Sequence, residues 1–100
     1  MLIVSGVFEV EAADREAAIA AAVRMATETR KEEGCQSYAF YGDFEDPNRI
    51  RVFEEWESGE VLERHFKTPH MADFRAALGK IKMRRGGVFR YEVSSRAPLG

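Results

Sequence analysis

Residues 2–10 (Leu-Ile-Val-Ser-Gly-Val-Phe-Glu-Val) are apolar, short and rich in β-branched side chains, and they predict a first strand. From Arg15 the period becomes helical: Ile19, Ala22, Val23 and Ala26 form an apolar stripe, and Arg24, Glu28 and Lys31 lie off it. Asp14 is placed to cap this helix, Glu16 suits its first turn, and Gly34 is its expected stop. Cys35–Asp43 and Arg49–Glu57 predict two strands, joined as a hairpin through the turn formers between Asp43 and Asn48. Ser58 should cap a short helix carrying Val61, Leu62, His65 and Phe66. Thr68-Pro69 should restart the chain as another helix, with Met71, Phe74, Leu78 and Ile81 as its buried face. Lys80, Lys82, Arg84 and Arg85 would be its basic end, Gly86-Gly87 its break, and Val88–Val93 the last strand.

This order predicts an α+β, ferredoxin-like split βαβ fold: a four-stranded antiparallel sheet with helices on one face. Strand alternation puts Tyr38 and Phe40 on one side of the second strand, and Cys35, Ala39 and Tyr41 on the other. Ile50, Val52 and Trp56 oppose Phe53, and Val88 opposes Phe89, Tyr91 and Val93. Both sheet faces are therefore partly apolar, while the helices of one chain can cover only one. A homodimer packed sheet to sheet, a dimeric α/β barrel, is the expected remedy.

The chain has 100 residues, 45% hydrophobic and 32% charged, which suits one domain over residues 1–95 with a loose tail at 96–100. Lys+Arg number 15 and Asp+Glu 17, so no basic surface is available for non-specific nucleic-acid binding. The single cysteine, Cys35, cannot form an internal disulfide, and a cytoplasmic location is expected. The apolar start has no basic lead-in, ends at Glu9 and Glu11, and is too short to span a bilayer, so no membrane partner is expected.

Glu54 and Trp56 are two apart and share a strand face with Val52. A carboxylate there is either a buried, hydrogen-bonded structural group or a pocket group. His65 and His70, the only histidines, are the side chains able to exchange a proton near neutral pH. Pro69 fixes a helix start and so favours His70, whereas His65 lies just before a break. His65, His70, Cys35, Asp73 and Glu54 show no metal-ligand spacing, so no metal is expected. Cys35 reads as a buried, inert thiol, and no glycine-rich phosphate loop is present.

Several segments together resemble the antibiotic biosynthesis monooxygenase (ABM) superfamily, especially its small quinol-monooxygenase-like branch. They are Glu32-Glu33-Gly34-Cys35-Gln36-Ser37-Tyr38, Asp46-Pro47-Asn48-Arg49, Glu54-Glu55-Trp56-Glu57-Ser58 and His65-Phe66-Lys67-Thr68-Pro69-His70-Met71. The resemblance covers roughly residues 2–93. It implies dimers joined through their sheets and a ligand cavity between sheet and helices. Tyr38, Phe40, Val52, Trp56, Phe66, Met71 and Phe74 would line that cavity, with His70, His65 and Glu54 as proton-handling groups. In the superfamily's haem-degrading branch, Phe74 or Arg75 would stand at the axial-histidine position, and residues 1–10 lack that branch's asparagine. The implied function is oxygenation of a quinol or polyphenol by molecular oxygen, without a cofactor. The same cavity would also serve a non-catalytic dimeric small-molecule-binding or stress-associated module.

Overall fold

Alternation along the first strand decides the layering. In the computed structural model, which describes residues 1–100, β1 (Leu2–Val10) buries every second residue: Leu2, Val4, Gly6, Phe8 and Val10. The chain continues through α1 (Arg15–Thr29), β2 (Cys35–Gly42), β3 (Arg49–Trp56), α2 (Gly59–His65), α3 (Pro69–Leu78) and β4 (Met83–Glu92). The strands form one antiparallel sheet in the order β2-β3-β1-β4, and the split βαβ architecture is the expected one. No helix is long and apolar enough to cross a membrane.

Several local readings hold for the reasons given. Ser58 Oγ accepts from the Val61 N–H, and Thr68 Oγ1 accepts from the Met71 N–H with Pro69 at the first helical position. The hairpin turn is stapled by Asp43, whose carboxylate accepts from the N–H groups of Glu45 and Asp46.

The helix α1 faces the sheet on a different stripe from the one predicted. Ala18, Ala21, Ala22, Met25, Ala26 and Thr29 are buried, while Ile19 is at the surface and Val23 is 59% exposed. So many of its positions are alanine that the apolar pattern has no unique phase, and the small side chains let the helix approach closely. Asp14 stands at its N-cap as expected, but its side chain makes no capping bond; the carboxylate accepts from the Lys82 N–H instead. Gly34 is not the residue after the helix either. The helix ends at Thr29, and Gly34 closes the following turn at φ +88°, where a Cβ would stand 2.6 Å from Val61.

The end of the chain departs most. The helix α3 stops at Leu78, none of its residues is fully buried, and Ile81 lies beyond it. Arg84 and Arg85 belong to β4, and Gly86-Gly87 is a β-bulge rather than a helix break. Val7 pairs with Gly87 and Phe8 with Arg85, so Gly86 is the extra residue, and Gly87 takes φ +117°. A second irregularity lets Cys35 pair with Trp56 while Ser37 pairs with Glu55. It turns Cys35 inward against the core, away from the outer face it was expected to share with Ala39 and Tyr41.

The core gathers Leu2, Val4, Phe8, Met25, Tyr38, Val52 and Leu62 around Trp56, which has no exposure at all. The opposite face of the sheet carries Tyr41, Phe89 and Tyr91, each more than half exposed. Trp56→Ala should cost about 3–5 kcal/mol, as other buried aromatic truncations do. Urea unfolding followed by circular dichroism measures it, and a loss under about 1 kcal/mol would show that Trp56 carries little of the core.

Candidate functional site

Three segments converge on one oxygen. Glu32 sits in the turn after α1, His65 is the last residue of α2, and His70 is in the first turn of α3. Glu32 Oε2 is 2.8 Å from His65 Nδ1 and 2.6 Å from His70 Nε2. Thr68 holds the two histidines in register: its hydroxyl donates to the His65 carbonyl while capping α3. His65 is 1% exposed, whereas His70 keeps 21% of its side chain open. His65, just before the break at Thr68-Pro69, is thus the more enclosed of the two.

The imidazole of His65 is packed among rings. Its centroid is 4.7 Å from Trp56, 5.7 Å from Tyr38 and 5.9 Å from Phe66. Burial lowers its pKa below the ordinary histidine value, and the neighbouring Glu32 carboxylate opposes that only partly. The neutral ring therefore dominates near pH 7. With Nδ1 donating to Glu32, the lone pair resides on Nε2, which has no protein partner.

His65 lines a cavity of about 300 Å³ between the sheet and α2–α3. Tyr38, Phe40, Val52, Phe66, Met71 and Phe74 form much of its wall. Glu54 lines it too, 7% exposed, with Oε1 accepting from Trp56 Nε1 at 2.8 Å. Burial raises the Glu54 pKa to about 7, although the indole hydrogen bond favours its charged form. Tyr38 is pushed well above the ordinary phenol range, again by burial, and stays protonated.

Two predicted residues lie elsewhere. Trp56 stands behind the wall and meets the cavity through its bond to Glu54. His70 opens instead onto a groove of about 390 Å³ between α1 and α3, beside Glu28, Asp73 and Phe74. Glu54 bonds to neither imidazole; the carboxylate that orients them is Glu32, which sequence reading did not single out. Arg75 and Arg85 also border the cavity. Arg85, expected at the basic end of a helix, lies in β4, and the bulge at Gly86-Gly87 brings it to this face. Burial lifts the Cys35 thiol to about 11, which leaves it protonated and unreactive.

The sequence profile of the family described as "Antibiotic biosynthesis monooxygenase" matches residues 1–77. The chain belongs to this family. "Probable quinol monooxygenase YgiN" of Escherichia coli is 41% identical over 56 residues, covering 48% of this chain and 54% of that protein. Rv0793 of Mycobacterium tuberculosis is 37% identical over 60 residues, covering 60% of this chain and 58% of that protein. This chain's matches thus span little more than half the length of these curated relatives. The solved structure of Rv0793 superposes with a TM-score of 0.85 at 27% identity, covering 97% of this chain and 98% of that one. A Deinococcus radiodurans structure reaches a TM-score of 0.92 at 22% identity, over 100% and 99% of the two chains, and so shares the fold.

The raised Glu54 pKa fixes a sign. The folded protein holds a proton that the unfolded chain releases above about 4.5, so this contribution is complete below that value and is lost as pH rises to about 7. The parent should lose about 3 kcal/mol between those limits relative to Glu54→Gln. Urea unfolding of both proteins at pH 4.5 and pH 8 checks it, and parallel curves would show that Glu54 titrates normally.

Proposed function

We propose that this domain, residues 1–95, is a cofactor-independent monooxygenase for a planar quinol- or polyphenol-like substrate. The carrying observation is the aromatic cavity bordered by His65, whose Nδ1 is engaged by Glu32 and whose Nε2 remains unpartnered. A volume of about 300 Å³ suits one or two aromatic rings. The name of the Escherichia coli relative supports the quinol class.

In this reading the apolar wall strips water from the substrate, and His65 Nε2 accepts a phenolic proton. The resulting imidazolium is stabilised by Glu32, and the guanidiniums of Arg75 and Arg85 favour the phenolate. The anion is electron-rich enough to react with oxygen. One oxygen atom enters the ring and the other leaves as water, with the substrate supplying the electrons and ending as a hydroxylated quinone. Glu54, protonated up to about pH 7, donates to the second substrate oxygen.

The active form in this proposal is a homodimer. Rows such as Ala39–Phe53–Ser5–Phe89 run across the open sheet face, and Tyr41 and Tyr91 flank them. A second copy covers such a surface at least cost. Light scattering at micromolar concentration should give about 23 kDa, twice the 11.3 kDa chain, and a clean monomer would refute the dimer.

Oxygen uptake with a panel of hydroquinones tests the chemistry. The acid limb of the rate should have its midpoint below the ordinary histidine value, because His65 is depressed, and the rate should fall again above about 7 as Glu54 ionises. His65→Ala should lower the rate about a hundredfold or more, and Glu54→Gln should remove the alkaline limb. Tight binding of the same hydroquinones without oxygen uptake would favour a non-catalytic binding module.

A further inference from the structure

The same three residues have a second capacity, which the proton-transfer reading does not use. We propose that Glu32, His65 and His70 form a binding site for a divalent transition-metal ion, with zinc as its simplest occupant.

The donor set is two imidazoles and one carboxylate. One ligand atom from each, Glu32 Oε2, His65 Nδ1 and His70 Nε2, lies within 4.8 Å of the other two. Imidazole nitrogen selects zinc, cobalt, nickel or iron(II) over calcium and magnesium, which take oxygen ligands. The donors come from three segments that the fold already fixes, so little chain ordering is needed on binding. His65 is held by its surrounding rings, His70 by Pro69 and Thr68, and Glu32 by a turn in which its N–H donates to the Thr29 carbonyl.

The geometry is contracted, as expected where one oxygen accepts two N–H bonds. The oxygen–nitrogen separations are 2.8 and 2.6 Å. Tetrahedral ligands on zinc stand about 3.4 Å apart when each bond is about 2.1 Å. The two oxygen–nitrogen distances must therefore open by less than about 1 Å, with the two ring nitrogens already within 4.8 Å of each other. Glu32 and His70, both partly exposed, can supply that movement while His65 stays fixed. The groove at His70 offers the route in; its charged lining is Arg24, Asp73 and Glu28, the last paired with Lys31. Solvent from the groove completes the coordination sphere.

The ion and the two hydrogen bonds exclude each other. When the metal takes Nδ1 of His65 and Nε2 of His70, each neutral imidazole keeps one proton, moved by solvent exchange to its other nitrogen. His65 Nε2 then becomes an N–H and can no longer accept a substrate proton. Metal binding stands independently of the proposed oxygenase, whereas this inhibitory consequence rests on it.

Isothermal titration calorimetry of the chelator-treated full chain with zinc chloride tests the site, alongside thermal unfolding. The expected result is one ion per chain and a melting temperature that climbs with zinc but not with magnesium. His70→Ala and Glu32→Gln, each verified as folded by circular dichroism, should weaken binding at least tenfold. Zinc that binds both variants as tightly as the parent, or fails to bind the parent, would overturn the proposal. Stoichiometric zinc binding with unchanged oxygen uptake would leave the metal site standing and remove His65 from the role of base.

Discussion

One carboxylate oxygen joins three parts of the chain that would otherwise be independent. Glu32 Oε2 receives His65 from the end of α2 and His70 from the start of α3, and Glu32 belongs to the turn that feeds β2. A carboxylate this sheltered, 15% exposed, needs strong partners, and two imidazoles supply them. The cavity follows from this joint, because the position of α2 and α3 over the sheet sets the distance between Phe66, Met71 and Phe74 and the opposing Tyr38 and Val52. Gly34 takes part as well. Its positive φ and its closeness to Val61 let the turn carrying Glu32 come up against α2.

The cavity sorts its titratable groups by sign. Burial acts on Glu54 and His65 alike, and in each case disfavours the charged form, so the carboxyl moves up while the imidazole moves down. Near neutrality the pair holds one acidic proton and one free base, both without net charge. Such a combination can move protons about a substrate without bringing a permanent charge into an apolar chamber.

Much of the architecture was legible because it is locally encoded. Ser58 and Thr68-Pro69 announce their helices through caps that need no tertiary context, and strict alternation along β1 and β3 reveals which sides are buried. The aromatic and aliphatic wall could be named for the same reason. Three things could not be read. The phase of α1 is hidden by its alanines. The length of β4 depends on pairing with β1 across more than 70 residues, as in Val10 with Met83. Glu32 meets its histidines 33 and 38 residues away, and nothing in a turn of the composition Arg-Lys-Glu-Glu-Gly distinguishes Glu32 from Glu33. The only available signal was its place just before Gly34-Cys35, in the first segment of the family resemblance.

The bulge at Gly86-Gly87 sets the polarity of the cavity from outside its wall. In an uninterrupted ladder, Gly86 would stand opposite Phe8, Arg85 opposite Glu9 and Arg84 opposite Val10. The inserted residue displaces that frame by one: Met83 meets Val10 in the core, Arg84 pairs with Glu9 at 2.7 Å, and Arg85 borders the cavity. Two residues with no side-chain chemistry thus put Arg85 at the edge of the cavity and leave Arg84 to close a surface ion pair. A one-residue slip of β4 against β1 would therefore turn the Arg85 charge away from the cavity and set Gly86 in its place, while every residue of the aromatic wall stayed as it is.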